Sequence, residues 1–149
     1  MGFTKGINVW EVYEDENRLG QSLRIGSYRS RDAKTITWLI SPLFTPNAQE
    51  ELYFSFRSST AFADNSELEF FSSTDFDGNY LNIKKATWKK VNAVIASEDQ
   101  SDILWVDSGA IPLGNTPIYF AFRYTGSGKT AQDGTFELDD FRIYKPTFE

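Results

Sequence analysis

Apolar residues recur at every second position through several stretches of this 149-residue chain. Ile118, Phe120, Phe122 and Tyr124 alternate with Tyr119, Ala121 and Arg123, and Leu52, Phe54 and Phe56 alternate with Tyr53, Ser55 and Arg57. Leu68 and Phe70 alternate with Glu67 and Glu69 in the same way. A period of two places one apolar and one polar row on opposite faces of an extended strand, the pattern of half-buried antiparallel sheet. With further strands expected at Val9–Glu14, Ser22–Tyr28, Thr37–Phe44, Thr87–Val94, Ile103–Asp107 and Thr135–Tyr144, the chain holds about nine. Turn residues punctuate them at Asp77-Gly78-Asn79, Gly114-Asn115, Gly126-Ser127-Gly128 and Asp133-Gly134. No long 3.6-period segment competes, and Val91–Ser97 has only the length of a helical turn. The expected fold class is therefore all-β, a two-sheet antiparallel β-sandwich. The segment Asp75–Ala86 reads as its longest loop.

Composition agrees and excludes several chemistries. A chain with 40% hydrophobic and 16% aromatic residues has the apolar content for one core. The absence of Cys and His rules out disulfides, thiol catalysis, thiolate zinc sites, Ser-His-Asp catalysis and imidazole metal sites. A net charge of −6 disfavours nucleic acid and anionic lipid as partners. No run of 18 or more apolar residues is present to insert into a membrane, and there is no signal peptide. Met1-Gly2 is read as the start of a domain trimmed from a longer protein.

Inside the last expected strand stand two adjacent aspartates, Asp139 and Asp140, flanked by Leu138 and Phe141. Neighbours on a strand face opposite ways, so one aspartate must face inward or the strand must bulge. A buried carboxylate is costly unless it is paired or holds a metal. In a chain without His or Cys a metal site needs oxygen ligands, which points to calcium. The plainer alternative has one aspartate facing solvent and the other capping a turn or pairing with an arginine.

Several phrases occur together in a familiar order. Thr37-Trp38-Leu39-Ile40-Ser41-Pro42, Ser73-Thr74-Asp75-Phe76-Asp77-Gly78 with Ala86-Thr87-Trp88, Asp107-Ser108-Gly109, Phe120–Gly126 and Thr135–Phe141 together span residues 37–143. This series resembles the choice-of-anchor J and cleaved-adhesin group of domains, found on surface and secreted proteins of Bacteroidetes. The resemblance implies a jelly roll over residues 1–149 as a single domain, excised from a larger surface or secreted protein. It also implies a structural calcium ion tying the first and last strands. Asp139 and Asp140 would then be ligands, with Asp32 and Glu11 as companions.

Other candidates are weaker in chemistry. Asp75-Phe76-Asp77-Gly78-Asn79 lacks the later acidic positions of an EF-hand loop and reads as turn chemistry. Sugars stack on exposed aromatic rings while polar side chains bond their hydroxyls. Tyr53 and Tyr119 fall opposite clear core positions, as does Phe71, and with Arg57 and Arg123 they are expected to decorate one outer sheet face. Tyr80, in the long loop, is the leading single candidate for an exposed ring. The simpler reading of each aromatic is packing. Glu67 and Glu69 share a strand face about 7 Å apart, within the separation of an inverting glycosidase, yet alternating glutamates on a solvent face are ordinary.

The expected function is a non-catalytic extracellular module, not an enzyme, that binds glycan or another surface ligand beside neighbouring domains of its parent chain. The alternatives are a structural or adhesion spacer without a small-molecule ligand and, third, a carboxylate-dependent glycoside hydrolase.

Overall fold

The computed structural model describes residues 4–5, 10–14, 21–28, 30–46, 50–61, 65–97, 105–129 and 133–145. Its strands are β1 (Thr4–Lys5), β2 (Glu11–Glu14), β3 (Gln21–Gly26), β4 (Thr35–Ile40), β5 (Tyr53–Ala61), β6 (Glu67–Ser73), β7 (Lys89–Lys90), β8 (Val106–Asp107), β9 (Ile111–Pro112), β10 (Tyr119–Gly126) and β11 (Thr135–Tyr144). They form two sheets, ordered β1-β4-β10-β6-β7 and β2-β3-β11-β5-β8, with β9 also on β5. Every pairing among the described strands is antiparallel. The expected two-sheet sandwich is therefore the observed one.

The long alternating strands fold as their pattern dictates. Phe54 and Phe56 of β5 meet Phe70 of β6 and Phe120 and Phe122 of β10 between the sheets, all at most 4% exposed. Ring centroids lie 5.1 Å apart for Phe54–Phe120, 4.7 Å for Phe70–Phe122 and 4.8 Å for the edge-on Phe56–Phe122 pair. Rings in these geometries gain attraction beyond their buried area. Tyr124 is fully buried, and its hydroxyl is satisfied by Ser27 Oγ at 3.0 Å and the Gly134 carbonyl at 2.9 Å.

Three expected elements come out differently. The strand expected over Thr37–Phe44 ends at Ile40, because Pro42 has no N–H to give a ladder. Pairing resumes only as a single bridge between Phe44 and Ile118. The strand expected over Thr87–Val94 shrinks to Lys89–Lys90, after which the chain crosses to the other sheet. Val91 N still donates to the Phe70 carbonyl, and Val94 N reaches the Ser108 carbonyl. Val91, Ala93 and Ile95 alternate onto the main core, so Val91–Ser97 is extended and holds no helical turn. Inside the long loop, Tyr80–Lys85 winds into a 3-10 helix whose N-terminus is capped by Asn79. Val9, Ile103 and Leu104 of the expected strands lie outside the described residues, as does the Tyr13 side chain.

Candidate functional site

The outer faces of the two sheets have different fates. On the first sheet, Ile36, Trp38 and Ile40 of β4, Phe71 of β6 and Ala121 of β10 point away from the main core. The loop after β6 folds back over them and forms a second, smaller core. Phe76 and Ile83 are buried there, and Trp88 lies 5.3 Å from both Trp38 and Phe76. Polar contacts fix the loop's path. Asp75 accepts from Thr87 N and Ser73 Oγ, each at 2.8 Å, and these bonds hold its carboxyl below the usual range. Asp77 accepts from Asn79 N and Asn82 Nδ2, with the same effect on its carboxyl. Trp88 Nε1 donates to the Ile83 carbonyl at 2.9 Å.

Tyr119 and Arg123 belong to this covered face. Tyr119 packs edge-on against Phe76 with centroids 5.0 Å apart. Arg123 lies over Phe71 at 4.9 Å and Trp38 at 5.4 Å, and donates to Glu69 Oε1 at 2.7 Å. Both residues hold the fold together at this place. Glu69 is committed to Arg123, so Glu67 and Glu69 do not present the open carboxylate pair that glycosidase chemistry needs. Tyr80 is 57% exposed, as the sequence suggested, but it stands on the loop that covers the first sheet.

The outer face of the second sheet is where the aspartate pair resolves. Asp139 is opposite Arg57, whereas Arg142 is opposite Ser55. Two residues of β11, Asp140 and Phe141, therefore stand against the single Phe56 of β5, which is a β-bulge. Asp140 adopts the left-handed conformation with φ 53°. The extra residue resets the alternation. Phe136 and Leu138 are buried in the core before the bulge, and Phe141 returns to that side after it, 43% exposed at the core margin and stacked on Phe54 with centroids 6.3 Å apart. Asp139, Arg142 and Tyr144 all fall on the outer face. Asp140 reaches the same face, with Oδ2 3.9 Å from Arg57 Nε.

Cross-strand register organises that face into rows. Glu11, Arg24, Glu137 and Ser59 form one row, and Asp139, Arg57 and Asp107 the next. Arg142 with Ser55 follows, then Tyr144, Tyr53 and Pro112. These rows are tied together: Arg24 bonds Glu11 at 3.1 Å and Arg57 lies 3.9 Å from Asp107 within them, and Ser22, two residues before Arg24 on β3, donates to Glu137 at 2.8 Å. In the last row the half-buried rings of Tyr53 and Tyr144 stack 6.0 Å apart at 30°. The Tyr53 hydroxyl donates to Glu51, and this bond raises its pKa above the usual phenol value.

The five expected ligand-binding residues thus divide between two faces rather than sharing one. Tyr53 and Arg57 lie on the open face, Tyr119 and Arg123 on the covered one, and Tyr80 on the cover itself. Sequence reasoning missed Tyr144, whose ring meets Tyr53 only through a register 91 positions apart. The four expected calcium ligands do not converge either. Asp140 lies 3.9 Å from Arg57, Asp139 is opposite Arg57 in register, Glu11 is paired with Arg24, and Asp32 Oδ2 accepts from Thr35 Oγ1 at 3.2 Å. Among the described residues no three carboxylates gather as a metal centre. Calcium takes six to eight oxygens, so these four carboxylates as arranged here do not by themselves make its shell.

The family model described as "Domain of unknown function (DUF5017)" matches residues 44–147, and the chain belongs to that family. No curated protein matches the sequence. Among solved structures, the K1 cleaved adhesin domain of Lys-gingipain from Porphyromonas gingivalis W83 is similar, with 13% identity over 97% of this chain and 90% of that one and a TM-score of 0.56. A family 30 carbohydrate binding module is 14% identical over 98% of this chain and 79% of that one, with a TM-score of 0.53. TmCBM61, solved in complex with β-1,4-galactotriose, is 12% identical over 92% and 88%, with a TM-score of 0.50. At these identities the likeness shows the fold, a jelly-roll β-sandwich shared by adhesin and carbohydrate-binding domains.

Proposed function

We propose that this DUF5017 domain is a non-catalytic glycan-binding module of an extracellular protein, with its ligand on the outer face of the second sheet. The observation that supports this most is the asymmetry of the sandwich. One outer face is sealed by its own loop, while among the described residues no loop packs over the other, which presents the Tyr53–Tyr144 stack beside rows of hydrogen-bonding side chains. Aromatic rings give sugar C–H faces a surface to stack on, and the neighbouring Arg57, Asp139 and Arg142 supply donors and acceptors for hydroxyls. Jelly-roll neighbours that are carbohydrate binding modules, one of them solved with a galactotriose, add support for this ligand class. The commitment of Glu69 to Arg123 speaks against hydrolysis.

Affinity electrophoresis through gels containing neutral and acidic polysaccharides tests the reading. The wild-type domain is expected to be retarded by at least one polymer. Tyr53→Ala and Tyr144→Ala should each abolish retardation without lowering the melting temperature by more than a few degrees, whereas Tyr80→Ala and Tyr119→Phe should retain it. Retardation lost with Tyr80→Ala but kept with Tyr53→Ala would move the site to the loop. Free migration of the wild type in every polymer would leave the spacer reading in its place.

A further inference from the structure

Resting on the glycan-binding reading, the charges of the open face bear on what kind of sugar it takes. Its ionisable groups are nearly all engaged with one another. Arg24 holds Glu11, Arg57 lies between Asp107 and Asp140, Glu137 accepts from Ser22, Glu51 accepts from Tyr53, and Lys145 holds Glu50 at 2.8 Å. Asp139 also has a partner. Arg142 differs: it is exposed and makes no hydrogen bond or ion pair among the described residues. Its row lies next to the tyrosine row. Residues two apart on a strand face are about 7 Å apart, so its guanidinium stands within reach of a sugar resting on Tyr144. Ser55 opposite is itself buried, so Arg142 is the side chain presented to solvent at that row.

We propose that Arg142 is the specificity-determining residue of this face and that the ligand is a polysaccharide containing uronic acid, whose carboxylate the guanidinium binds while the ring stacks on the Tyr53–Tyr144 pair. A guanidinium is the side chain whose planar fork matches a carboxylate with two parallel N–H···O bonds. The surrounding carboxylates do not compete for it in the free domain, because each already has another partner. From the row of Asp139 to that of Tyr144 the face spans the four steps from Arg57 to Tyr53 on β5, about 13 Å, which suits two to three rings of a chain lying parallel to the strand.

The test is calorimetric titration of the full chain with polygalacturonate, alginate and hyaluronan, and with the same polymers after chemical reduction of their carboxyl groups. At least one uronate polymer is expected to bind, with affinity falling about tenfold on carboxyl reduction and about tenfold in Arg142→Ala, the size of one charge-assisted contact. Arg142→Lys should recover part of the loss, and Arg142→Glu should abolish binding. Arg142 is exposed, so unchanged melting curves will exclude misfolding. Equal binding of native and reduced polymers that still depends on Tyr53 would overturn the acidic-sugar inference and leave the glycan face intact. Binding of no polymer, reduced or native, would overturn both.

Discussion

The Asp140 carboxylate stands 3.9 Å from the Arg57 guanidinium across a bulge in the last strand. The left-handed backbone that puts it there also lets an adjacent pair of aspartates share one face without burying either. The extra residue costs some backbone strain, since a left-handed conformation disfavours side chains by about 1–2 kcal/mol, less for aspartate. The bulge absorbs that residue, so Phe141 stays on the core side and Arg142 on the outer face.

Substitutions at Asp140 should separate these effects. Asp140→Gly removes both the strain and an exposed ion pair, so its stability should stay within about 1 kcal/mol of wild type. Asp140→Val should lose about 1–2 kcal/mol, because a β-branched residue tolerates the left-handed region poorly. Deleting Asp140 should remove the bulge and leave Phe141 opposite Phe56 with Arg142 still on the outer face, so its cost should also be small. Urea denaturation reads all three. A deletion variant far less stable than wild type would mean that Asp140 is not the extra residue of the strand.

The fit of Gly128 is equally exacting. A Cβ at this position would lie 2.3 Å from Ser30 Oγ, 2.6 Å from Arg31 N and 2.8 Å from the Ser27 carbonyl. Gly128 N also donates to the Asp32 carbonyl at 2.8 Å, binding the loop after β10 to the one before β4. Gly128→Ala should therefore cost about 1–3 kcal/mol by overpacking, seen as a lower midpoint in thermal melts.

Arg123 and Arg57, one on each sheet, offer a contrast between packing and recognition. Arg123→Ala removes a charge-assisted bond to Glu69 and two ring contacts, and should lower stability by about 2 kcal/mol while polysaccharide retention is unchanged. Arg57→Ala loses only exposed ion pairs, so its melt should hardly move and any effect should appear in retention. The reverse result would exchange the roles of the two faces.

Acid should loosen the cover of the first sheet. Asp75 has its pKa lowered below 3.8 in the folded state, chiefly by the Thr87 N–H and then by Ser73. A carboxylate with a depressed folded pKa contributes stability that is fully present above its unfolded pKa, about 3.9. That contribution is lost as pH falls through the lower folded value. Trp88 lies within the same loop, so its fluorescence should report the change below about pH 4. Asp75→Asn should weaken the pH dependence in this window, and an unchanged acid limb would show that Asp75 does not govern it.

Calcium should make no difference to the melt. Glu11 and Asp140 are engaged with arginines and Asp32 with Thr35, and these carboxylates do not gather with Asp139 into one cluster among the described residues. Thermal transitions in excess calcium and in excess chelator are expected to coincide. A rise of several degrees with calcium would mean that the ion gathers these carboxylates into another arrangement.

The sandwich was legible in the sequence because its long strands carry their own pattern. The rows of Phe54 and Phe56, of Phe70, and of Phe120 and Phe122 each announce a buried face before any partner is known. The two-residue strands β1 and β9 carry no such pattern and owe their existence to a neighbour. The bulge was legible as one of two ways to seat the aspartates. Which outer face stays open was not, because it depends on the loop carrying Phe76, Ile83 and Trp88 returning over Trp38 and Phe71. Tyr144 stayed hidden for a similar reason: a ring at the end of a strand gains meaning only when register sets it beside Tyr53.

The sheet margins carry one more consequence. The outermost strands are two to four residues long, and the last strand of the first sheet is the exposed pair Lys89–Lys90. Short, charged borders give another copy's backbone little to zip onto. Despite its aromatic content, the domain is built to stay dispersed when crowded and to resist fibrillation, so it tolerates repetition and dense display.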